Sequence, residues 1–82
     1  MSFDKLVSVF RDVRDSGKYK NPKEVIEDLV EYGVVSTEKY IIHAVIVSEE
    51  KLALAVDDLI NVIVREVFLK DEVERAVNEA WK

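Results

Sequence analysis

The sequence predicts an all-α protein, a compact bundle of four to five short helices. Three observations favour this fold class. Apolar residues recur at helical spacing near both ends of the chain, capping residues mark several helix starts, and both glycines follow helical stretches. The 82 residues leave room for one domain, residues 1–82, with a modest core. Since 49% of the residues are hydrophobic and 35% are charged, the composition is globular rather than disordered.

The first predicted helix begins near the amino terminus. Its apolar residues share one helical face and are Phe3, Leu6, Val7, Phe10 and Val13. Ser2 is a natural N-cap, and Ser16 is followed by Gly17, which tolerates a left-handed backbone. We therefore expect a helix that ends at residues 16–17.

The second predicted helix has the clearest boundaries. Asn21 stands at the N-cap, Pro22 at the first helical position and Glu24 at the third. Gly33 is placed to end the helix.

Residues 40–47, YIIHAVIV, have two interpretations. Ser36 can cap a helix here, and the run does not alternate polar with apolar residues, which favours a buried helix. The alternative is a strand, since β-branched residues dominate the run and VVS at residues 34–36 can pair with it as a hairpin.

The longest predicted helix runs from Glu49 to Leu69 and carries an apolar stripe. Asp71–Glu74 resembles a fresh capping box, so a further helix is expected after it. An unbroken rod to Lys82 would be about 50 Å long at 1.5 Å per residue. That length suits a dimer rather than a compact monomer, so we expect a break near Leu69–Asp71.

The rest of the composition bears on the cellular location and thermal stability of the protein. The chain has no cysteine, and neither a signal peptide nor an apolar run long enough to cross a membrane is recognisable, so we expect a cytoplasmic protein without membrane contact. Few thermolabile residues and plentiful Lys and Glu suggest a thermostable protein.

Charge is distributed unevenly along the chain. Residues 1–23 hold six basic and three acidic side chains, whereas residues 24–82 hold six basic and fourteen acidic ones. An acidic body repels nucleic acid, so phosphate contact would have to come from the first quarter of the chain. The candidate residues for that contact are Arg14, Lys18, Tyr19, Lys20 and Lys23.

The sequence does not predict an enzyme. His43 is the only histidine, too few ligands remain for zinc, and no glycine-rich phosphate loop is present, so neither metal nor cofactor is expected. The apolar surface of residues 40–69 exceeds what the flanking helices need, and such a surplus marks an interaction site. Candidate anchors for a partner are the aromatic residues Tyr32, Tyr40, Phe68 and Trp81.

The opening MSFDKLVSVF, the capped NPKEVIEDLVEYG segment and the valine-rich acidic body together resemble a known family. It is the small helical accessory (binding) subunit of the archaeal heterotrimeric B-family replicative DNA polymerase. The resemblance spans the chain and implies a non-catalytic subunit that docks on the polymerase catalytic subunit, with DNA contact that is weak or indirect.

We therefore expect a non-catalytic, protein-binding accessory subunit of a larger complex. One alternative is a weak nucleic-acid-binding protein that uses the basic loop 14–23. Another is a self-associating homodimeric regulatory protein, joined along Leu52–Leu69.

Overall fold

The computed structural model describes residues 3–82 and has an α+β fold, in which helices pack on one side of an antiparallel sheet. The elements in chain order are α1 (Phe3–Asp15), α2 (Pro22–Glu27), β1 (Val34–Ser36), β2 (Ile41–Ile46), β3 (Lys51–Asp57), β4 (Val62–Leu69) and α3 (Lys70–Ala80). A π-helical turn, Asp28–Tyr32, continues α2 as far as Gly33.

The predicted all-α helical bundle is therefore wrong, and the error lies between residues 34 and 69. The helix favoured for residues 40–47 is strand β2, and the alternative hairpin with residues 34–36 is the correct interpretation. The long helix predicted from Glu49 to Leu69 is the hairpin of β3 and β4. Its predicted end is nevertheless accurate, because β4 gives way to α3 between Leu69 and Lys70.

The reason for the error is visible in residues 52–56, LALAV. Leu52 and Val56 lie one helical turn apart, but Leu52, Leu54 and Val56 also alternate with two alanines. Because alanine is apolar and small, the run satisfies both periodicities. The choice is made by pairing, since β3 lies between β2 and β4 and its backbone is hydrogen-bonded on both sides.

The helices predicted near the two ends are confirmed. In α1 the predicted residues Leu6, Val7, Phe10 and Val13 are buried. Asn21 caps α2, since its Oδ1 accepts the Glu24 N–H at 3.1 Å. Gly33 ends the helical segment with a left-handed φ of 71°. The predicted N-cap Ser2 lies outside the described residues.

Polar contacts join the helices to each other and to the sheet. The Arg14 Nη1 donates to the carbonyl oxygen of Ala80 at 2.7 Å, so α1 holds the carboxyl end of α3, where a cation is favourable. The Tyr40 hydroxyl, just before β2, donates to Asp12 Oδ2 at 3.0 Å.

The sheet is an antiparallel meander in the order β1-β2-β3-β4. One side of it packs against the helices and forms a single core with them. We call this side the inner face; its buried residues are Val35, Ile42, Ala44, Leu52, Leu54, Val56, Val64 and Phe68. A register shift after Val56 places Val62 opposite Asp57 and passes over Ile63.

Within residues 3–82 no helix packs on the other side of the sheet. Its side chains alternate with those of the inner face along each strand. We call this side the open face; its residues are Val34, Ser36, Ile41, His43, Val45, Lys51, Ala53, Ala55, Asp57, Val62, Arg65, Val67 and Leu69.

Candidate protein-binding face

Eight of the thirteen residues of the open face are apolar, although the face is exposed to solvent. Val45 keeps 64% of its surface exposed, and Ile41, Val67 and Leu69 each keep about half. An antiparallel sheet that faces water on one side normally carries polar residues on that side. The open face departs from this pattern, and a contiguous exposed apolar surface is typical of an interaction site.

The strand pairing places a shallow apolar depression at Ala53, in the middle of the open face. The methyl groups of Ala53 and Ala55 reach less far than their neighbours' side chains, and Ala55 is flanked by the polar residues His43 and Arg65. Val45 on β2 and Val67 on β4 both pair with Ala53 and form opposite walls. Because neighbouring strands lie about 4.8 Å apart, the two walls are about 10 Å apart.

Four groups on the open face can carry charge, and they lie in fixed places. Lys51 and Asp57 stand at opposite ends of β3. His43 and Arg65 both pair with Ala55, one from each side, and so share one row across the sheet. Among residues 3–82, none of the four forms an ion pair or a side-chain hydrogen bond, and Asp57 Oδ1 is buried without a hydrogen-bond partner.

The hairpin between β3 and β4 adds a second exposed apolar group next to the open face. Asp58 Oδ1 accepts the N–H groups of Ile60 at 2.8 Å and Asn61 at 2.6 Å, which closes the turn. These hydrogen bonds hold the pKa of Asp58 below its usual value. Leu59 and Ile60 are 92% and 88% exposed at the tip, so the turn presents apolar side chains to solvent.

The structure gives most of the predicted phosphate-binding residues another partner. Arg14 bonds Ala80, and Lys18 Nζ donates to the carbonyl oxygen of Ser36 at 2.6 Å. Lys20 and Lys23 are exposed, and neither side chain has a hydrogen bond or ion pair within the described residues. The basic loop adjoins one edge of the open face at Ser36, because Lys18 Nζ donates to both the carbonyl oxygen and the hydroxyl of that residue.

Tyr19, the proposed stacking residue of the basic loop, is half-buried against the core. Its hydroxyl donates to Asp28 Oδ2 at 2.8 Å. Burial, followed by this hydrogen bond and the charge of Asp28, raises the pKa of Tyr19 to about 12. The ring therefore packs inside the helix layer instead of standing free in the loop.

The predicted aromatic anchors are scattered. Tyr40 and Phe68 are core residues, and Trp81 is partly buried against the core. Tyr32 alone of the four is mainly exposed, at 73%, and it lies at the end of the π-helical turn. Their role as partner anchors stays a prediction, but burial leaves little of Tyr40 and Phe68 for a partner to touch.

Reasoning from the sequence overlooked the open face because it assigned these residues to helices. A usable signal existed in β3, where large residues at 52, 54 and 56 alternate with small ones at 53 and 55. Asp58 and Asn61, typical turn residues, follow directly. His43, the only histidine of the sequence, is exposed in the centre of the open face.

Comparison of the chain with models of protein families, with curated proteins and with solved structures finds no match. Within residues 3–82 no helix has the length and apolar character that a membrane span requires. Over the same residues, His, Asp and Glu side chains form no group of three or more that could hold a metal ion.

Proposed function

We propose that this protein is a non-catalytic binding module that docks on another protein surface through the open face. The observation that supports this most directly is the exposure of Ile41, Val45 and Val67 on one side of the sheet. Fully burying an aliphatic side chain contributes roughly 1.5–3 kcal/mol, and about half of that is available here because these side chains are already about half buried. Covering several of them at once gives a partner a sizeable driving force.

The rest of the domain supports this interpretation by contrast. Twenty apolar residues are buried in one core, and no charged or polar residue is buried among the described residues. The core thus contains apolar residues throughout. An apolar surface left exposed in such a domain is better explained by a partner than by poor packing.

The open face is poorly suited to nucleic acid. Sheets that bind single-stranded RNA stack its bases mainly on aromatic side chains, and none of the thirteen residues of the open face is Phe, Tyr or Trp; His43 is the one imidazole among them. In the basic loop 14–23, Arg14 and Lys18 already bond backbone carbonyl oxygens of the protein. Weak phosphate contact through Lys20 and Lys23 stays a prediction, which rests on their charge and exposure.

A DNA polymerase catalytic subunit is one candidate partner, on the strength of the sequence resemblance alone. That resemblance was to a helical subunit, whereas residues 34–69 form a sheet. The polymerase assignment stays a prediction. The proposal of a protein-binding face does not depend on it.

Site-specific photo-cross-linking in an extract of the native cells tests the proposal. A benzophenone amino acid in place of Val45 stands on the open face, and the same group in place of Arg11 stands on the exposed side of α1. We expect position 45 to capture a defined protein band that position 11 does not. Equal capture from the two positions, or none from position 45, would contradict the proposal.

A Val45→Asp variant is the matched competitor in that experiment. Added in excess to the extract, the unmodified protein should suppress the cross-link from position 45. The variant should suppress it much less, because it places a carboxylate on the apolar surface. Equal suppression by both proteins would show that the captured band does not depend on the open face.

A further inference from the structure

The charges of the open face have a self-complementary arrangement. Along β3 the outward side chains run Lys51, Ala53, Ala55, Asp57, with opposite charges at the two ends. Neither charged group is paired with another described residue. A flat surface with opposite charges at its ends can match a second copy of itself in one orientation and not in another.

Two identical sheets can face each other across a two-fold axis in two ways. If the axis runs along the strands, Lys51 lies over Lys51 of the second copy and Asp57 over Asp57. If the axis runs across the strands, β3 of the two copies is antiparallel and Lys51 lies over Asp57 of the second copy, twice. Like charges in contact are unfavourable, so the pattern selects the second arrangement.

We propose that the partner of the open face is a second copy of this chain, packed face to face with antiparallel β3 strands and two Lys51–Asp57 ion pairs between the copies. This inference rests on the proposed function, since it identifies the occupant of the same face. Facing sheets pack about 10 Å apart with their strands roughly aligned, which suits two flat sheets.

The other rows of the open face agree with this arrangement. A two-fold at the level of residue 54 places Ala55 over Ala53 of the second copy, and these small residues permit close approach. Leu69 shares a row with Lys51, and Val62 shares one with Asp57. Leu69 of each copy therefore meets Val62 of the other, an apolar contact beside each ion pair.

The central polar residues do not obstruct the packing. In the same arrangement Arg65 lies over Val67 of the second copy. Because β4 is an edge strand, the Arg65 stem can cover that valine while its guanidinium remains in water. His43 likewise lies over Val45 of the second copy. That valine has no β1 residue beside it, because β1 pairs with β2 only as far as His43.

The size of the face indicates how strong this dimer is. Because β1 has three residues, the facing area is set by β2, β3 and β4. Three strands about 4.8 Å apart and about seven residues at about 3.3 Å give a footprint of about 14 by 23 Å. Two such footprints amount to roughly 700 Å², which is below the 1,200–2,000 Å² of standard stable interfaces. We therefore expect a dimer that dissociates at micromolar concentrations.

Sedimentation equilibrium of the full chain between about 10 μM and 1 mM tests the inference. Wild type should show a reversible monomer–dimer equilibrium. Lys51→Glu, which places like charges at both pairs, should raise the dissociation constant about 10-fold, and Asp57→Lys should do the same. The double variant Lys51→Glu/Asp57→Lys swaps the two charges. Its dissociation constant should return to within about 3-fold of the wild-type value.

Lys23→Glu on α2 is the matched control, because it changes the net charge equally at an exposed site away from the open face. It should leave the dissociation constant within about 2-fold. Should Asp57→Lys not fold, Asp57→Asn removes the charge at nearly constant volume, and it should weaken the dimer about 3-fold.

A wild-type protein that remains monomeric at 1 mM overturns the inference, and so does a double variant that stays as weak as Lys51→Glu. If Lys23→Glu weakened the dimer as much as Lys51→Glu, the effect would come from net charge alone, and the inference would also be overturned. If the chain is monomeric while position 45 still cross-links a different protein, the homodimer fails and the protein-binding function stands. If the chain is monomeric and position 45 captures nothing, both fail.

Discussion

The two faces of the sheet are built from the same strands and in large part from the same residue types, yet their surroundings differ. On the inner face Leu54 is 1% exposed, whereas on the open face Leu69 is 47% exposed. Helices α1, α2 and α3 cover the first and contribute to its core. The second has no cover within the described chain. Apolar character alone therefore does not distinguish a core surface from a binding surface; the presence of an internal cover does.

The difference has an energetic meaning. The covered inner face contributes to the folding of the chain itself. The apolar residues of the open face contribute little to folding, because much of their surface stays in water after the chain has folded. Their burial free energy remains available for association, so the same substitution should act on stability at one face and on binding at the other.

The largest expected effect is a truncation of the inner face. Leu54→Ala should lower the free energy of unfolding by about 3 kcal/mol, because it leaves a cavity in the core. Leu69→Ala on the open face should lower it by about 0.5 kcal/mol. Urea unfolding monitored by circular dichroism measures both. Similar losses from the two leucines would remove the distinction between the faces.

A second substitution tests the junction between the helix layer and the sheet. The Gly33 carbonyl accepts the Ala44 N–H at 2.9 Å, and a Cβ at Gly33 would lie 2.9 Å from the Ala44 oxygen. Because φ is also positive there, Gly33→Ala should cost about 2 kcal/mol.

Gly17→Ala is its control. Gly17 has a φ of +75° but no atom within 4 Å of an added Cβ, so only backbone strain applies and about 1 kcal/mol is expected. Thermal unfolding of both variants separates the two contributions. A larger loss from Gly17→Ala would show that close packing at Gly33 is not important.

The helix layer also predicts a pH effect. The pKa of Tyr19 is raised to about 12 by burial and by Asp28, so folding favours the protonated phenol. Its contribution is complete below the unfolded value near pH 10 and is lost as the pH rises toward 12. Since Tyr19 is only partly buried, we expect a loss of roughly 1 kcal/mol.

Urea unfolding at pH 9 and pH 11.5 checks this effect, with Tyr19→Phe as the comparison. The variant lacks the titrating hydroxyl, so its stability should fall less than that of wild type over the same interval. Parallel losses in the two proteins would assign the alkaline effect to other groups.

The smallest expected effect sharpens the contrast between the faces. Val45→Thr keeps the shape of the side chain on the open face and should change the free energy of unfolding by no more than about 0.5 kcal/mol. Val56→Thr on the inner face buries a hydroxyl among apolar groups and should cost about 2 kcal/mol. Chemical denaturation measures both free energies of unfolding. Equal losses from the two variants would mean that Val45 is as well covered as Val56 in the folded protein, and would contradict the contrast between the faces.

Much of the helical part of the fold was predictable because its signals are local. The Asn21 cap, Pro22 and Gly33 act within a few residues, and the periodicity of α1 lies within one segment. The strands were not predictable in this way. In β3 the alternating alanines fit a helix and a strand equally, and the stripe from Leu52 to Val67 gave the helix an apparent continuation through the β3–β4 turn.

The candidate site was less predictable than the fold. Surplus apolar surface in residues 40–69 was expected, and the open face lies within that range except for β1. The anchor residues were chosen for aromatic character, and Phe68 proved to face the core. Which side of a strand is covered depends on residues distant in sequence, so residue type could not identify the exposed set.

The sequence by itself determined the three helices, the Asn21 cap and the region where the last helix begins, because capping and helical periodicity depend on neighbours along the chain. The capping box predicted at Asp71–Glu74 was wrong by two residues, since the N-cap of α3 is Leu69 and its N–H donates to Glu72. Only the tertiary structure decided that residues 34–69 form a sheet and that Val45, Ala53 and Val67 share its uncovered side. Strand pairing joins segments that are far apart in sequence, and the side that receives the helices is set by how the whole chain packs. The binding face is a product of that packing.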